Sequence, residues 1–484
     1  ELIQPRLGLT WDLEPNRWGT TQVRAGFGIF GGGDPTVHFA NAYQNFGGAI
    51  GFAGHFSAPC TAADLTVTDG NGQFTGLPDC VRIAAQNSAL ANTGPVAAVD
   101  PNFDLPSNHR WSLGLNHLMS SNIDFLNDWE IQLDYIFTDH VNAVDWVDLR
   151  VTPNGQLMPD GRPQFFEVDP LLPGCNATFA GIRTGFTNAG TNGGPCDDVA
   201  NSNQDILMTN GVEGTTHSIS LQLAKDFDIG DRTSLDLGIG YAFLDSEVGN
   251  PVNSSTAGSS YEEVATAVLN NVQLGPALWA NRHNFVVRAN LRHEWADGWP
   301  FSVGVFLRRS SGRPFSFTYE DDTVEDHFGD SDDEERVLIY VPTGPTDPIM
   351  DFSQLTQAEI DEFFAYLERT GLSRYAGGIA PKNGFNGPWI TDMDVRFQQD
   401  IPIFEDHKLQ IFFDIENFLN IFSDSNNVRR YTNTGDIQEG VRVYQTNEFN
   451  PNNQYEVEAV FYEGINLDVD DSVYRLQLGF RYRF

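Results

Sequence analysis

Apolar and polar residues alternate with a period of two in many segments of this sequence. The final segment shows this alternation over about 11 residues, longer than the roughly 4–8 of an ordinary half-buried strand and long enough for a tilted strand to cross a bilayer. One face carries Tyr474, Leu476, Leu478, Phe480, Tyr482 and Phe484, and the other carries Arg475, Gln477, Gly479, Arg481 and Arg483. This segment is therefore predicted to be a β-strand with one apolar face.

The same alternation recurs along the chain and predicts about eleven strands. The segments are 3–11, 20–30, 111–119, 130–137, 215–227, 234–243, 284–291, 301–308, 389–398, 409–416 and 474–484. Short connections follow Trp11, Met119, Phe227, Glu294 and Gln398, and long ones cover 32–108, 140–214, 246–281, 310–388 and 421–471. Short turns on one side and long loops on the other are typical of transmembrane barrels. The predicted fold class is all-β, an antiparallel transmembrane β-barrel with long extracellular loops.

The polar face of these strands decides what the apolar face meets. It carries Arg288, Arg292, Asp392, Asp394, Arg396, Asp414 and Glu416. In a dry core each unpaired charge would cost several kcal/mol, whereas in a wet lumen it costs little. The apolar face is therefore predicted to contact outer-membrane lipid. Tryptophans near the strand ends fit the aromatic girdles of such barrels.

The charge balance excludes one class of partner. The chain has 484 residues and a formal net charge of −38, so it repels nucleic acid and is predicted not to bind it. No run of about 18 apolar residues exists, so the sequence offers no transmembrane helix. A mean hydropathy of −0.31 agrees with strands whose two faces average to neutral.

The four cysteines form two local pairs in loop-like segments. Cys60 and Cys80 lie in one segment, and Cys175 and Cys196 lie in another. An even count in such segments predicts two disulfides and an oxidising compartment. The alternatives are free thiols or a zinc site, although no CxxC spacing supports zinc.

One short loop helix interrupts the strand pattern. Thr356 and Glu359 have the spacing of a capping box, and Leu355 can pack on Ile360 as a hydrophobic staple. Its apolar face comprises Ile360, Phe363, Phe364 and Leu367. Gly371 is the expected C-terminal residue.

Enzymatic motifs are weak throughout the sequence. Residues 26–31 match GxGxxG literally, but the match lies inside a predicted strand, whereas a dinucleotide site needs a strand before it and a helix after it. No HExxH or GxSxG motif exists. We therefore expect no catalytic residue, no enzyme activity and no organic cofactor.

An acidic run is the best candidate for a metal site. Asp330, Asp332 and Asp333 lie within 320–335, and calcium prefers clustered carboxylate oxygens. The run lacks the spacing of a twelve-residue calcium loop. The alternative is a solvated acidic loop.

Several segments resemble a known family. Tyr482-Arg483-Phe484 resembles the C-terminal signature of outer-membrane proteins. Residues 414–417 (DIEN), followed by Leu419-Asn420, look like the late-strand motif of TonB-dependent receptors. The segments 24–30, 311–314, 338–342 and 387–389 look like the Oar-like branch of that family. The resemblance covers nearly the whole chain.

The resemblance implies a 22-stranded barrel in the outer membrane of a Gram-negative bacterium, of which this chain is the C-terminal half. It implies that an N-terminal plug and the first half of the barrel lie outside this sequence. It also implies that the barrel-assembly machinery recognises the end of the chain through Tyr482 and Phe484. The TonB system would energise transport through the missing N-terminal part.

The expected function is transport of an unidentified extracellular ligand across the outer membrane. One alternative is a structural or adhesive surface protein whose long loops meet partners. A hydrolase barrel is the less favoured alternative, because no triad or metal cluster lies on one face.

Overall fold

The computed structural model describes most of the chain. The described residues are 3–33, 35–44, 61, 68, 71, 73–74, 76, 78–83, 96–191, 193–197, 204–252, 254–319, 336–404, 407–422, 430–432, 440–449, 453–460, 465–467 and 472–484.

Within these residues, eleven long strands form one antiparallel sheet in which each strand pairs with the next along the chain. The strands are β1 (Arg6–Asp12), β2 (Gly19–Gly31), β3 (Ser107–Met119), β4 (Glu130–Val141), β5 (Thr215–Asp228), β6 (Thr233–Val248), β7 (His283–Glu294), β8 (Pro300–Ser310), β9 (Ile390–Phe404), β10 (His407–Glu416) and β11 (Arg475–Arg483). The sheet ends at β1 and β11, which each pair with a single neighbour in this sheet, so the described sheet does not close on itself. The fold is all-β and antiparallel.

The connections alternate between short and long. Because consecutive strands are antiparallel, all short connections lie at one end of the sheet, the turn end, and all long ones lie at the other, the loop end. One predicted turn was wrong, because β9 continues past Gln398 to Phe404. Asp400, two residues after Gln398, lies within the strand and accepts hydrogen bonds from Gln398 (3.2 Å) and Gln410 (3.0 Å).

The apolar face is continuous across the sheet. Residues in register across β1 to β5 are Leu9, Ala25, Leu113, Tyr135 and Ile219. Residues in register across β6 to β11 are Leu237, Ala289, Val305, Val395, Ile415 and Leu476. Many of the large apolar side chains on this face are exposed. An exposed apolar surface of this width needs an apolar surrounding.

Aromatic rings lie at both ends of the apolar face. At the loop end Phe137 contacts Trp111 and His217, with ring centroids 5.4 and 4.9 Å away. At the turn end Trp295 lies 5.4 Å from Trp299. Such rings are typical of the boundary between hydrocarbon and water.

The long connections contain a hydrophobic core that is separate from both faces of the sheet. Its buried residues include Met158, Leu269, Phe317, Phe363 and Tyr455, which come from four different connections. A five-stranded sheet contributes to it, with strands Pro314–Tyr319, Met350–Asp351, Phe385–Asn386, Gly440–Phe449 and Tyr455–Val460. We call these connections together the loop body. They pack as a folded unit rather than as independent loops.

Smaller elements lie beside this core in the long connections. A three-stranded sheet contains Val96–Val99, Val144–Asp148 and Asp205–Asn210. Two-stranded pairs join Val151–Leu157 to Pro163–Glu167, Thr178–Gly181 to Gly185–Thr187, Tyr340–Val341 to Gly378–Ile379, and Arg430–Thr432 to Ile465–Leu467; Gly275–Pro276 pairs with β6. Short 3-10 helices lie at Leu372–Tyr375 and Phe418–Ile421.

The prediction of a single loop helix was incomplete. The structure has α1 (Thr36–Gln44), α2 (Ala257–Glu262) and α3 (Gln357–Thr370) in the long connections, and residues 79–83 are also helical. Helix α3 is the predicted one, and its capping box between Thr356 and Glu359 and its left-handed Gly371 are confirmed. Helices α1 and α2 lack a capping-box signal and have no acidic residue in the first turn, so no local signal predicted them.

Candidate functional site: the polar face of the sheet

The polar face of the sheet carries ion pairs between neighbouring strands. Arg396 on β9 donates to both carboxylate oxygens of Asp414 on β10, at 2.5 and 2.7 Å. Arg288 on β7 lies 3.6 Å from Asp236 on β6. Pairing between strands therefore accounts for several of the charges that the sequence placed on this face.

One ion pair reaches across an intervening strand. Arg24 on β2 donates to Asp134 on β4 at 2.9 Å, and β3 lies between them. Between them β3 has Gly114, where a Cβ would lie 2.5 Å from Asp134 Oδ1 and 3.1 Å from Arg24 Nη2. Glycine therefore gives the two side chains room to meet.

Other polar groups on this face lack a partner among the described residues. The Oδ1 atom of Asn284 and the Nε atom of Arg308 are buried without a hydrogen bond. The two residues lie on neighbouring strands, where Arg308 is in register with Val286 and Asn284 with Ser310. A buried polar group without a partner costs about 1–3 kcal/mol, so a polar group that reached either atom would gain a favourable hydrogen bond.

A depression of about 480 Å³ opens beside Asn284. Its polar lining includes Ser220, Gln222 and Arg288, and Gly238 and Gly240 contribute bare backbone. A second depression, of about 620 Å³, lies toward the turn end and contains Gln22, Asn116 and Gln132. The polar face therefore offers concave surfaces lined by hydrogen-bonding groups.

In the loop body, a buried ion pair joins three connections. Arg162 lies 2.6 Å from Asp160, and both side chains are at most 5% exposed. The guanidinium also donates to the backbone oxygens of Leu338 (2.9 Å) and Ala267 (3.2 Å). Burial lowers the pKa of Arg162, but the nearby Tyr319 and Tyr455 and the Asp160 carboxylate together raise it above its ordinary value. The loop body therefore contains a buried ion pair whose guanidinium has backbone oxygens as hydrogen-bond partners.

A second buried acid, Asp148, is the last residue of the strand Val144–Asp148 in the three-stranded sheet. Burial raises the pKa of Asp148 to about 7, although hydrogen bonds from the backbone N–H groups of Arg150 and Asp205 oppose the shift. The Asn270 side chain donates to the backbone oxygen of Asp148 at 2.7 Å and accepts from its N–H at 2.8 Å. Asp148 therefore links two connections and changes charge near neutral pH.

The predicted disulfide residues lie in the long connections. The structure joins Cys175 to Cys196. Cys80 is also disulfide-bonded. Cys60, its expected partner, lies outside the described residues, so that pairing stays a prediction.

The acidic candidates for calcium, Asp330, Asp332 and Asp333, lie outside the described residues as well, so the site stays a prediction. Among the residues that the structure does describe, no group of three or more His, Cys, Asp or Glu side chains could hold a metal ion.

The predicted assembly signal lies at the end of β11. Tyr482 is in register with Leu409, and its hydroxyl lies 2.7 Å from His407 Nδ1. The Phe484 side chain is 94% exposed. The two aromatic residues therefore lie together at the turn end, and Phe484 is accessible to a partner.

Two contacts escaped the sequence reasoning. Lys225, one of the few lysines, is buried on the apolar face beneath the turn between β3 and β4. Gly312 and Gly387, which belong to two of the family-like segments, lie against each other. The sequence signal for the first contact was a single lysine at a position of β5 that belongs to the apolar face.

Among the described residues, no helix is long and apolar enough to cross a membrane. No curated protein matches the sequence significantly.

Solved structures resemble the chain over most of its length. The outer membrane transporter YddB from Escherichia coli matches 86% of this chain and 37% of its own, at 11% identity and a TM-score of 0.39. The FrpB iron transporter from Neisseria meningitidis matches 85% of this chain and 39% of its own, at 9% identity and a TM-score of 0.30. The chain spans less than half the length of either transporter.

A family model identifies the chain more firmly than these structures do. The model of the outer membrane beta barrel domain matches residues 1–445. The chain belongs to the outer membrane beta barrel domain family.

Proposed function

We propose that the chain is part of a TonB-energised transporter of the outer membrane, with the polar face of its sheet along the path of the substrate. The observation that carries the proposal is the sorting of side chains between the two faces of one sheet. On one face, apolar residues are in register from β1 to β5 and in a second row from β6 to β11, whereas the interstrand ion pairs lie on the other face. A lipid-facing surface and a wet lumen explain this sorting together.

A polar substrate fits the lining of the depression on the polar face. Asn284 and Arg288 lie at one side of it, and Ser220 and Gln222 lie at the other. In the proposal the long connections are extracellular and meet the substrate first. Energy comes through the TonB system, as the family resemblance implies, and the chain has no catalytic role and no resident cofactor.

The test uses the native host and three strains: the wild type, a deletion of this gene and a deletion of tonB. Uptake of radiolabelled ferric citrate, cobalamin and a short peptide is measured in each strain. We expect uptake of at least one probe to fall in both deletion strains and to return when the whole gene is restored. Uptake of every probe at the wild-type level in the gene-deleted strain would contradict transport.

Adhesion is the second candidate, and the loop body favours it. Four long connections share one core that contains Phe317, Phe363 and Tyr455, so they can present a rigid surface to another cell or to a matrix. In the same strains, attachment to a solid surface is measured beside uptake. Unchanged uptake with reduced attachment in the gene-deleted strain would support adhesion over transport.

A further inference from the structure

The turn between β3 and β4 is a rigid unit. The Ser121 N–H donates to Asn127 Oδ1 at 2.9 Å, and the Asp128 N–H donates to the Met119 backbone oxygen at 2.9 Å. The N–H groups of Leu126 and Asn127 donate to the Ile123 backbone oxygen at 2.9 and 3.0 Å. These bonds fix the turn in one conformation, so a partner that binds it meets a preformed surface.

A buried lysine holds this turn against the sheet. Lys225 on β5 lies on the apolar face and is 7% exposed. Its ammonium donates to the backbone oxygens of Asp124 (3.1 Å) and Asn127, and its Nζ lies 4.9 Å from the ring centroid of Phe227. A buried ammonium is costly unless it is hydrogen-bonded, so these carbonyls make Lys225 tolerable on an apolar face. The turn is thereby folded toward the apolar side of the sheet.

The outer surface of the turn is apolar and exposed. The side chains of Ile123 and Phe125 are 59% and 64% exposed, and Leu126 is also exposed. The Phe125 ring lies 5.9 Å from the Phe227 ring, and its backbone oxygen accepts a hydrogen bond from Trp129 Nε1 at 2.9 Å. The apolar patch of the turn is therefore continuous with the apolar face of the sheet.

We propose that the turn 120–129 is an interfacial anchor that inserts Ile123, Phe125 and Leu126 among the lipids at the turn end of the barrel. The partner is the boundary between headgroups and acyl chains, because the patch continues the lipid-facing surface at the place where the strands end. Buried backbone at this boundary needs its hydrogen bonds made internally, and Lys225 supplies two of them. The anchor fixes the depth of β3, β4 and β5 in the membrane.

The experiment measures the depth of single fluorescent labels. The whole protein is refolded into phosphatidylcholine vesicles with an NBD label on a cysteine introduced by Phe125→Cys, by Leu221→Cys on the apolar face, or by Asp231→Cys in another short turn. Lipids brominated near the headgroup or deep in the acyl chain serve as quenchers, and the unsubstituted protein gives the labelling background. We expect shallow bromines to quench the label at 125 about threefold more than deep ones, the label at 221 to respond to deep bromines, and the label at 231 to respond to neither.

The outcomes separate the anchor from the membrane placement of the sheet. An unquenched label at 125 beside a quenched label at 221 would overturn the anchor alone. Quenching at neither position would overturn both. A signal at 125 that changes with the ratio of protein to lipid would indicate a second protein molecule as the partner and would also overturn the anchor.

The role of Lys225 is tested in the same assay. Lys225→Met removes the ammonium but keeps a long side chain, and Lys225→Arg keeps a cation. We expect Lys225→Met to lower quenching at 125 about twofold or more, with the label at 221 unchanged, and Lys225→Arg to restore most of it. Equal quenching at 125 in all three proteins would overturn the assignment of Lys225 as the residue that positions the turn.

Discussion

Gly312 lies so close to Gly387 that a Cβ on Gly312 would be 2.2 Å from the Gly387 backbone oxygen. Gly312 follows β8 and Gly387 precedes β9, so the contact closes the base of the long connection between these strands. The Gly387 N–H donates to the Arg313 backbone oxygen at 2.9 Å and fixes the crossing. The two segments that resembled one family at separate places in the sequence thus form a single junction.

Replacing Gly312 with alanine is expected to destabilise this junction. The new methyl group would contact backbone atoms rather than a flexible side chain, so the two backbone segments would have to move apart. Overpacking of this kind costs about 1–3 kcal/mol. The measurement is the free energy of unfolding in urea, followed by tryptophan fluorescence of the whole protein in lipid vesicles.

Gly344→Ala is the matched control for Gly312→Ala. Gly344 lies in the same long connection, and a Cβ there would have no heavy atom within 4 Å. We expect its stability to be unchanged or slightly raised. Equal stability of the two variants would contradict the importance of the glycine contact.

The ion pair between Arg396 and Asp414 gives a second prediction. Arg396→Met leaves the carboxylate without its two hydrogen bonds, but 52% of the Arg396 side chain is exposed. Solvent screening therefore limits the expected loss of stability to about 1 kcal/mol. A double-mutant cycle with Asp414→Asn, measured by urea unfolding, isolates the pair. A coupling free energy of zero would show that this pair does not stabilise the sheet.

The sequence predicted the sheet well because one physical pattern repeats along it. In β11 the residues from Leu476 to Tyr482 alternate strictly, and the structure has a strand there that pairs with β10. Helix α3 was predicted for a similar reason, since its capping box and terminal Gly371 are local signals. Local periodicity and local capping need no knowledge of distant contacts.

The candidate site was less predictable because it depends on contacts between strands. Alternation placed Arg396 and Asp414 on one face, but only the register shows that they are opposite each other. Asn284 and Arg308 gave no sign of their unpaired atoms in the sequence. The loop body was not predicted at all, because its core joins short segments from four connections. No single segment among them shows a periodic pattern of apolar residues.

The disulfide between Cys175 and Cys196 gives a third prediction. The two residues are separated by 21 positions, and both contact the small cluster that contains Phe166 and Val168. Removing a crosslink over a loop of this length is expected to cost about 3 kcal/mol of local stability. Limited proteolysis of the double variant Cys175→Ser and Cys196→Ser should therefore cut near this segment sooner, while the sheet strands stay intact. Unchanged cleavage would contradict the prediction.

The buried Asp148 predicts a pH dependence of the loop body. Because burial raises its pKa to about 7 from an ordinary 3.8, the folded protein holds this proton more tightly than the unfolded chain does. The stabilisation is complete below about pH 4, falls as the pH rises from about 4 to 7, and is absent above pH 7. Over that window a single group of this kind changes stability by about 1.4 kcal/mol for each pH unit.

Asp148→Asn isolates this effect, because asparagine cannot ionise and its Oδ1 can still accept from the Arg150 N–H, which is 2.8 Å away in the native protein. The free energy of opening of the loop body is measured by hydrogen exchange in lipid vesicles and is compared at pH 4.5, 6 and 8. We expect the variant to gain stability relative to the native protein as the pH rises across this range. Asp361→Asn on the exposed surface of α3 is the control for the loss of one carboxylate. Parallel pH profiles for Asp148→Asn and the native protein would show that Asp148 keeps its charge in the folded state, because neither profile would then contain its titration.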